Sequence, residues 1–197
     1  MVDFFVQGGG FMWPILIALL FGLAVIGERA YSLLNSSSNT DQFFEDVKTV
    51  YDDSGKEQAI ELCENTPGPV ASIFYAGLSK MGNAKEEIEK AVQNAGGLEM
   101  AFLEKNMIWI NSVITIAPML GFTGTVVGMI KAFEDIKMAN DISPAVVAGG
   151  ISVALLTTAF GLVVAVILQI LQNAVMYIID NQIVTLQKST TLLLDSI

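Results

Sequence analysis

The chain has 197 residues, of which 53% are hydrophobic and only 15% are charged, and its mean hydropathy is +0.58. Soluble domains carry about 25% charged residues, so this composition indicates a membrane protein. The net charge of −10 argues against a nucleic-acid partner and a polybasic lipid anchor, because both rely on clustered Lys and Arg. With no histidine and one cysteine, Cys63, the chain lacks the residues for a zinc site or a His-based catalytic pair. We therefore expect no enzyme, metal or cofactor, and we expect Cys63 to be a small buried apolar residue.

Three apolar stretches are each long enough to cross a bilayer, whose core of about 30 Å needs about 20 helical residues. They cover residues 11–27, 106–130 and 146–179. The third would extend about 50 Å as a helix, so we expect it to leave the membrane and continue into the cytoplasm. The sequence therefore predicts an all-α membrane protein with three transmembrane helices. The other predicted parts are an N-terminal segment, a cytoplasmic helical domain, a short loop and a C-terminal helix, at 1–10, 28–105, 131–145 and 180–197.

The distribution of basic residues predicts the orientation. Residues 1–10 contain no Lys or Arg, whereas 28–105 contain seven. Cytoplasmic segments are enriched in these residues, so we expect the N-terminus and 131–145 on the periplasmic side and the C-terminus in the cytoplasm. A cleavable signal peptide normally begins with positive charge, so we expect 11–27 to remain as an anchor.

The segment 28–105 reads as several helices. Apolar residues recur at helical spacing after position 43, and Asp52 to Gly55 then read as a turn. A second helix contains Cys63, and a third covers about 70–80. Residues 84–105 favour a helix except at Gly96-Gly97, and without a proline we expect one long helix to run on into the second apolar stretch.

Small residues repeat along the second and third stretches at intervals of four, three and four. They are Ala117, Gly121, Gly124 and Gly128 in the second, and Ala154, Thr158, Gly161 and Ala165 in the third. Small residues let apolar helices approach closely in lipid. Ordinary helix packing explains such stripes by itself.

Hydroxyl side chains also occur in these stretches, at Thr123, Thr125, Ser152, Thr157 and Thr158. Each can be satisfied within its own helix, or together they can line a narrow polar path. Neither stretch contains Asp, Glu, Lys, Arg or His, and a proton relay normally needs a titratable group. A proton path built with this chain therefore needs a carboxylate from a partner or a continuous chain of water.

Two long motifs resemble a known family. Residues 117–133, APMLGFTGTVVGMIKAF, are similar to the AP-LLG-L-GTV-GMI-AF signature of the MotA/TolQ/ExbB proton-channel family, and 149–162, GGISVALLTTAFGL, are similar to its GI--AL-TTA-GL pattern. Glu28-Arg29 and the PGPVA run at 67–71 fit the family as well. Three spans in a chain of this length favour the ExbB/TolQ-like branch over the flagellar branch, which usually has four.

The resemblance implies a subunit of an ion-driven motor in the bacterial inner membrane. Such subunits form a ring, thought to be a homopentamer, whose second and third spans line a pore. The pore holds helices of an ExbD/TolR-like single-span partner, whose intramembrane aspartate takes and releases the proton. Pore threonines of the family correspond to Thr125 and Thr158, with Thr157 beside the latter. Many members have glutamate where this chain has Val153, so the coupling ion, proton or sodium, stays open.

Two functions remain open at this point. One is a motor or channel subunit, in which the hydroxyls of Thr125 and Thr158 solvate the ionised aspartate of the partner. The other is an oligomeric membrane scaffold that conducts no ions, which the replacement at Val153 favours. No nucleophile and base occur together in the apolar stretches, so an intramembrane enzyme has no support.

Overall fold

The computed structural model describes residues 2–35, 40–139 and 144–195, and over these ranges the chain is helical with no β-sheet. Three regions are long and apolar enough to cross a membrane: Met12–Leu34, Lys85–Met138 and Val147–Leu194. This confirms the predicted all-α membrane fold. The helices are α1 Val2–Gln7, α2 Met12–Asn35, α3 Thr40–Ser54, α4 Lys56–Asn65, α5 Pro69–Ser79, α6 Lys85–Leu103, α7 Met107–Ala139 and α8 Pro144–Asp195.

The chain divides into two compact units. The first comprises Met1–Glu28 and Asn106–Ala174, and the second comprises Arg29–Lys105 and Val175–Ile197. The boundaries at 28/29 and 105/106 lie within one residue of the ends of the predicted segment 28–105. The compartment in which each unit lies stays a prediction.

The first unit is formed by apolar helices that approach closely at small residues. Gly22 of α2 packs so tightly that an added Cβ would lie 2.8 Å from Leu168 Cδ1 in α8. Phe5 of the short helix α1, which the sequence did not predict, packs edge-to-face on Trp13 and Phe160, with ring centroids 5.3 and 5.9 Å away. Aromatic pairs in this geometry stabilise packing beyond the area that they bury.

The second unit contains α3 to α6 and the last part of α8, with an apolar core. Phe43 and Phe44 both meet Phe74 edge-on at 5.9 Å between ring centroids. Pro69 starts α5 in the first helical turn, where the lost backbone N–H has no partner in any case. Cys63 is buried, as the sequence predicts, and the helix expected at about 70–80 is α5.

The prediction of one helix running from 84 into the second apolar stretch is wrong. Helix α6 passes through Gly96-Gly97 but ends at Leu103, and α7 begins at Met107. Asn106 has φ of 68°, a left-handed conformation for which Asn is enriched among residues with a Cβ. A search for proline and glycine alone does not find this helix end.

The predicted loop at 131–145 is also wrong in its first part. Helix α7 continues to Ala139, and α8 starts at Pro144, while residues 140–143 lie outside the described ranges. Charged residues from Lys131 to Lys137 therefore belong to the end of α7. The sequence places a loop there because the charge increases, yet charge alone does not interrupt a helix. The third stretch continues as a helix, as predicted, since α8 is unbroken to Asp195, and the cytoplasmic position of its end stays a prediction.

Candidate functional site

Thr125 of α7 and Thr158 of α8 meet directly in the first unit. Their hydroxyl groups form a short hydrogen bond with each other. Thr158 Oγ1 also donates to the Gly121 carbonyl at 3.0 Å, and Thr125 Oγ1 lies 3.1 Å from the Ala154 carbonyl and 3.3 Å from that of Gly121. We call this group the threonine pair. The structure thus brings together the two hydroxyls that the family resemblance singles out.

Small residues allow the two helices to bring these hydroxyls together. A Cβ added at Gly121 would lie 2.9 Å from the Thr157 carbonyl, and one added at Gly161 would lie 2.6 Å from the Ala117 carbonyl. Gly128 meets the methyl group of Ala154 in the same way. The contacts run in opposite directions along the two helices, so α7 and α8 are antiparallel. Ala165 is buried in the same unit.

Thr157 points into the contact between α7 and α8. It is only 1% exposed, and its Oγ1 donates to the Ala154 carbonyl at 2.8 Å. Opposite it stands Gly124, where a Cβ would lie 2.9 Å from Thr157 Cβ. Its proposed place in a pore lining stays a prediction, and the described contacts give it a role in helix packing.

Val153 and Thr123 do not join the threonine pair through any described hydrogen bond of their side chains. Val153 is half-buried and offers only an aliphatic side chain, although its carbonyl lies 3.2 Å from Thr157 Oγ1. Thr123 is exposed and donates to the Met119 carbonyl within α7 at 2.8 Å. Among the described residues, no cluster of His, Cys, Asp or Glu has the arrangement of a metal site.

The number of protons in the threonine pair limits what it can bind. Each hydroxyl carries one proton and two lone pairs. If one hydroxyl donates to the other, the second donates to a backbone carbonyl, so both protons are used within the chain. The pair therefore offers only acceptor lone pairs to an approaching group.

A second polar contact joins α7 and α8, and it was not predicted from the sequence. Gln172 Nε2 donates to Asn111 Oδ1 at 2.5 Å. Asn111 lies fourteen residues before Thr125, and Gln172 lies fourteen residues after Thr158. Because fourteen residues are nearly four helical turns, the same face of each helix carries both contacts. This equal spacing is the signal that could have revealed the pair.

Comparison with known proteins identifies the family to which the chain belongs. Residues 65–188 match the model of the MotA/TolQ/ExbB proton channel family. A putative biopolymer transport protein ExbB-like 3 from Synechocystis is 29% identical over 93% of this chain and 88% of its own length. A putative ExbB homolog from Methanothermobacter thermautotrophicus is 30% identical over 92% of this chain and 65% of its own.

A third relative is the biopolymer transport protein exbB1 of Vibrio cholerae, which is 27% identical over 81% of this chain and 72% of its own length. The matched region contains both the threonine pair and the small residues that hold α7 and α8 together. The chain is therefore a multi-pass membrane protein that belongs to the MotA/TolQ/ExbB proton channel family, in its ExbB-like branch.

Proposed function

We propose that this chain is the ring-forming subunit of an ion-driven motor in the bacterial inner membrane, with its N-terminus in the periplasm and its C-terminus in the cytoplasm. It works with an ExbD/TolR-like single-span partner whose intramembrane aspartate carries the proton, and the ring is a homopentamer. The single observation that carries this proposal is the threonine pair, which places polar oxygens inside the stretches 106–130 and 146–179, where the sequence has no Asp, Glu, Lys, Arg or His. Ion flow then performs work on the cell envelope in transport, envelope integrity or motility.

The acceptor-only character of the threonine pair changes the role suggested by the sequence. An ionised carboxylate needs hydrogen-bond donors, and both hydroxyl protons of the pair are already used within the chain. A protonated carboxyl carries its own donor and can bond to the free lone pairs. We therefore assign the pair to the neutral carboxyl of the partner, whereas the ionised form must find water elsewhere.

The available driving force is modest compared with the cost of burying a charge. One elementary charge crossing the membrane potential releases about 2.3 kcal/mol per 100 mV. An isolated ionised carboxylate in an apolar ring is far more costly than this. A site that accepts the neutral acid avoids that cost and makes movement of the partner depend on protonation.

A non-conducting scaffold is the second candidate function. The aliphatic Val153 and the close contacts at Gly121 and Gly161 favour it, because tight packing alone can serve assembly. Sodium as the coupling ion also remains compatible with acceptor oxygens.

Reconstitution in liposomes separates the two functions. The co-purified complex is sealed into vesicles with an imposed pH gradient, and a fluorescent pH indicator records its decay. The proposal predicts decay with the wild-type partner and none when the partner's intramembrane aspartate is replaced by asparagine. Repeating the assay with a sodium gradient and a sodium indicator tests the coupling ion. Vesicles that hold both gradients with the wild-type complex would contradict the motor and support the scaffold.

A further inference from the structure

The amide contact between Asn111 and Gln172 leaves one buried polar atom without a partner. Gln172 is only 6% exposed, and within the described part of the chain its Oε1 receives no hydrogen bond. If both amides were turned over, the hydrogen bond would survive in reverse and the Gln172 nitrogen would be the atom left over. In either arrangement, the polar atom that lacks a hydrogen-bond partner in the described part of the chain therefore belongs to Gln172.

A buried amide atom of this kind is costly among apolar helices. Leu168, one helical turn before Gln172 in α8, is fully buried, and Val113 and Val164 are buried in the same unit. An unsatisfied polar group destabilises a protein unless a ligand or a water bonds to it. Water fits both arrangements of the amide, because it can donate to an oxygen and accept from a nitrogen.

The contact itself offers such a water a second acceptor, because Asn111 Oδ1 has two lone pairs and Gln172 Nε2 occupies one of them. Asn111 is exposed, so the contact extends from the buried Gln172 to the outer surface of the helix pair. Pro118 lies midway between Asn111 and Thr125 in sequence, and because it has no backbone N–H it leaves the Ile114 carbonyl without its usual helical donor. Oxygen acceptors therefore recur along α7 from the threonine pair to the amide contact.

We propose that Asn111 and Gln172 form a water-binding site, and that this site is a second polar site on the ion path, in addition to the threonine pair. Fourteen residues at 1.5 Å each place it about 21 Å along the helices from the threonine pair. The site supplies a hydrogen-bonded water beside buried apolar residues, and the Ile114 carbonyl lies between the two contacts along α7. Its place on an ion path rests on the proposed function, whereas the water-binding site itself does not.

The first test looks for the water directly. A cryo-electron microscopy map of the wild-type complex, at a resolution that reveals ordered water, is compared with one of Gln172→Met. This substitution keeps the size of the side chain and removes both polar atoms. The proposal predicts density within hydrogen-bond distance of the Gln172 amide in the wild type and none in the variant. A wild-type map without such density would overturn the site.

The second test measures ion flux in the liposome assay. Gln172→Met is expected to reduce flux on the order of tenfold, the factor that corresponds to about 1.4 kcal/mol for one lost hydrogen bond on the path. Gln169→Met is the matched control, since Gln169 is exposed and donates to Asn173 in its own helix.

The outcomes distinguish this inference from the proposed function. Thermal unfolding of each purified complex shows whether a loss of flux reflects a loss of fold. Wild-type flux in a folded Gln172→Met complex would overturn the role on the path and leave the motor intact. If the wild-type complex carries no flux, the proposed function fails, and the maps then decide the water site alone.

Discussion

The hydroxyl groups of Thr125, Thr157 and Thr158 and the amide of Gln172 decide what the first unit can do chemically. The sequence identified Thr125 and Thr158 through a family motif, but it did not reveal where their protons go. That depends on backbone carbonyls of the facing helix, Gly121 and Ala154, whose positions follow only from the helix packing. The same packing buries Thr157 and Gln172, whereas Thr123 and Gln169, which have the same side chains, are exposed.

Cys63 provides a test in the second unit. Burial raises the pKa of its thiol from 9.0 to about 11, because desolvation disfavours the thiolate. At pH 8 this higher pKa lowers the fraction of thiolate about a hundredfold. At pH 8 we therefore expect iodoacetamide to modify the folded chain at least about a hundredfold more slowly than the unfolded chain, followed by mass spectrometry.

The same shift predicts a pH dependence of stability. The folded state holds the thiol proton more tightly than the unfolded state, so this contribution is complete below pH 9 and disappears as the pH rises towards 11. Thermal unfolding of wild type and Cys63→Ala across this range isolates the effect, since the variant lacks the thiol. Equal alkylation rates for the folded and unfolded chains would contradict the account.

At the scale of the helices, close approach between α7 and α8 is the feature on which the threonine pair depends. The sequence shows a stripe of small residues on each helix, and in the structure the two stripes face each other. The end of α6 was missed because it depends on Asn106 in a left-handed conformation, and a single Asn carries little signal in a sequence. The continuation of α7 past Lys131 was missed because charged residues are compatible with a helix.

Glycine substitutions test the close approach. Gly161→Ala places a Cβ about 2.6 Å from the Ala117 carbonyl oxygen, so the helices must separate. We expect a loss of about 1–3 kcal/mol of stability, the usual range for overpacking, measured by thermal or denaturant unfolding in detergent. Gly149→Ala is the control in the same helix, because no atom lies within 4 Å of its added Cβ. Equal stabilities for the two variants would contradict the proposed contact.

Substitutions at Asn106 test the break between α6 and α7. Glycine adopts the left-handed conformation without steric penalty, whereas a β-branched residue does not. We expect Asn106→Gly to be neutral or slightly stabilising and Asn106→Val to lose about 1–2 kcal/mol, measured by unfolding in detergent. A Val variant as stable as the wild type would indicate that α6 and α7 can join into one continuous helix.

At the scale of the whole molecule, the helical class and three apolar spans follow from composition and length alone. The ends of the segment 28–105 were predicted from where the charge begins and ends, and the two compact units divide at 28/29 and 105/106, within one residue of those ends. The assignment of this segment to the cytoplasm stays a prediction. The number of subunits and the identity of the partner depend on surfaces that meet other chains. No pattern within one chain specifies them, so they enter through the family and remain proposals.

The most direct test of the central claim compares Thr158→Val with Thr158→Ser in the complex reconstituted in liposomes. Valine keeps the shape of threonine and removes the hydroxyl, whereas serine keeps the hydroxyl and removes the methyl group. If the threonine pair presents its lone pairs to the ion path, ion flux falls on the order of tenfold or more in the valine variant. It stays within about twofold of wild type in the serine variant, and both complexes assemble. Wild-type flux in an assembled Thr158→Val complex would contradict the claim.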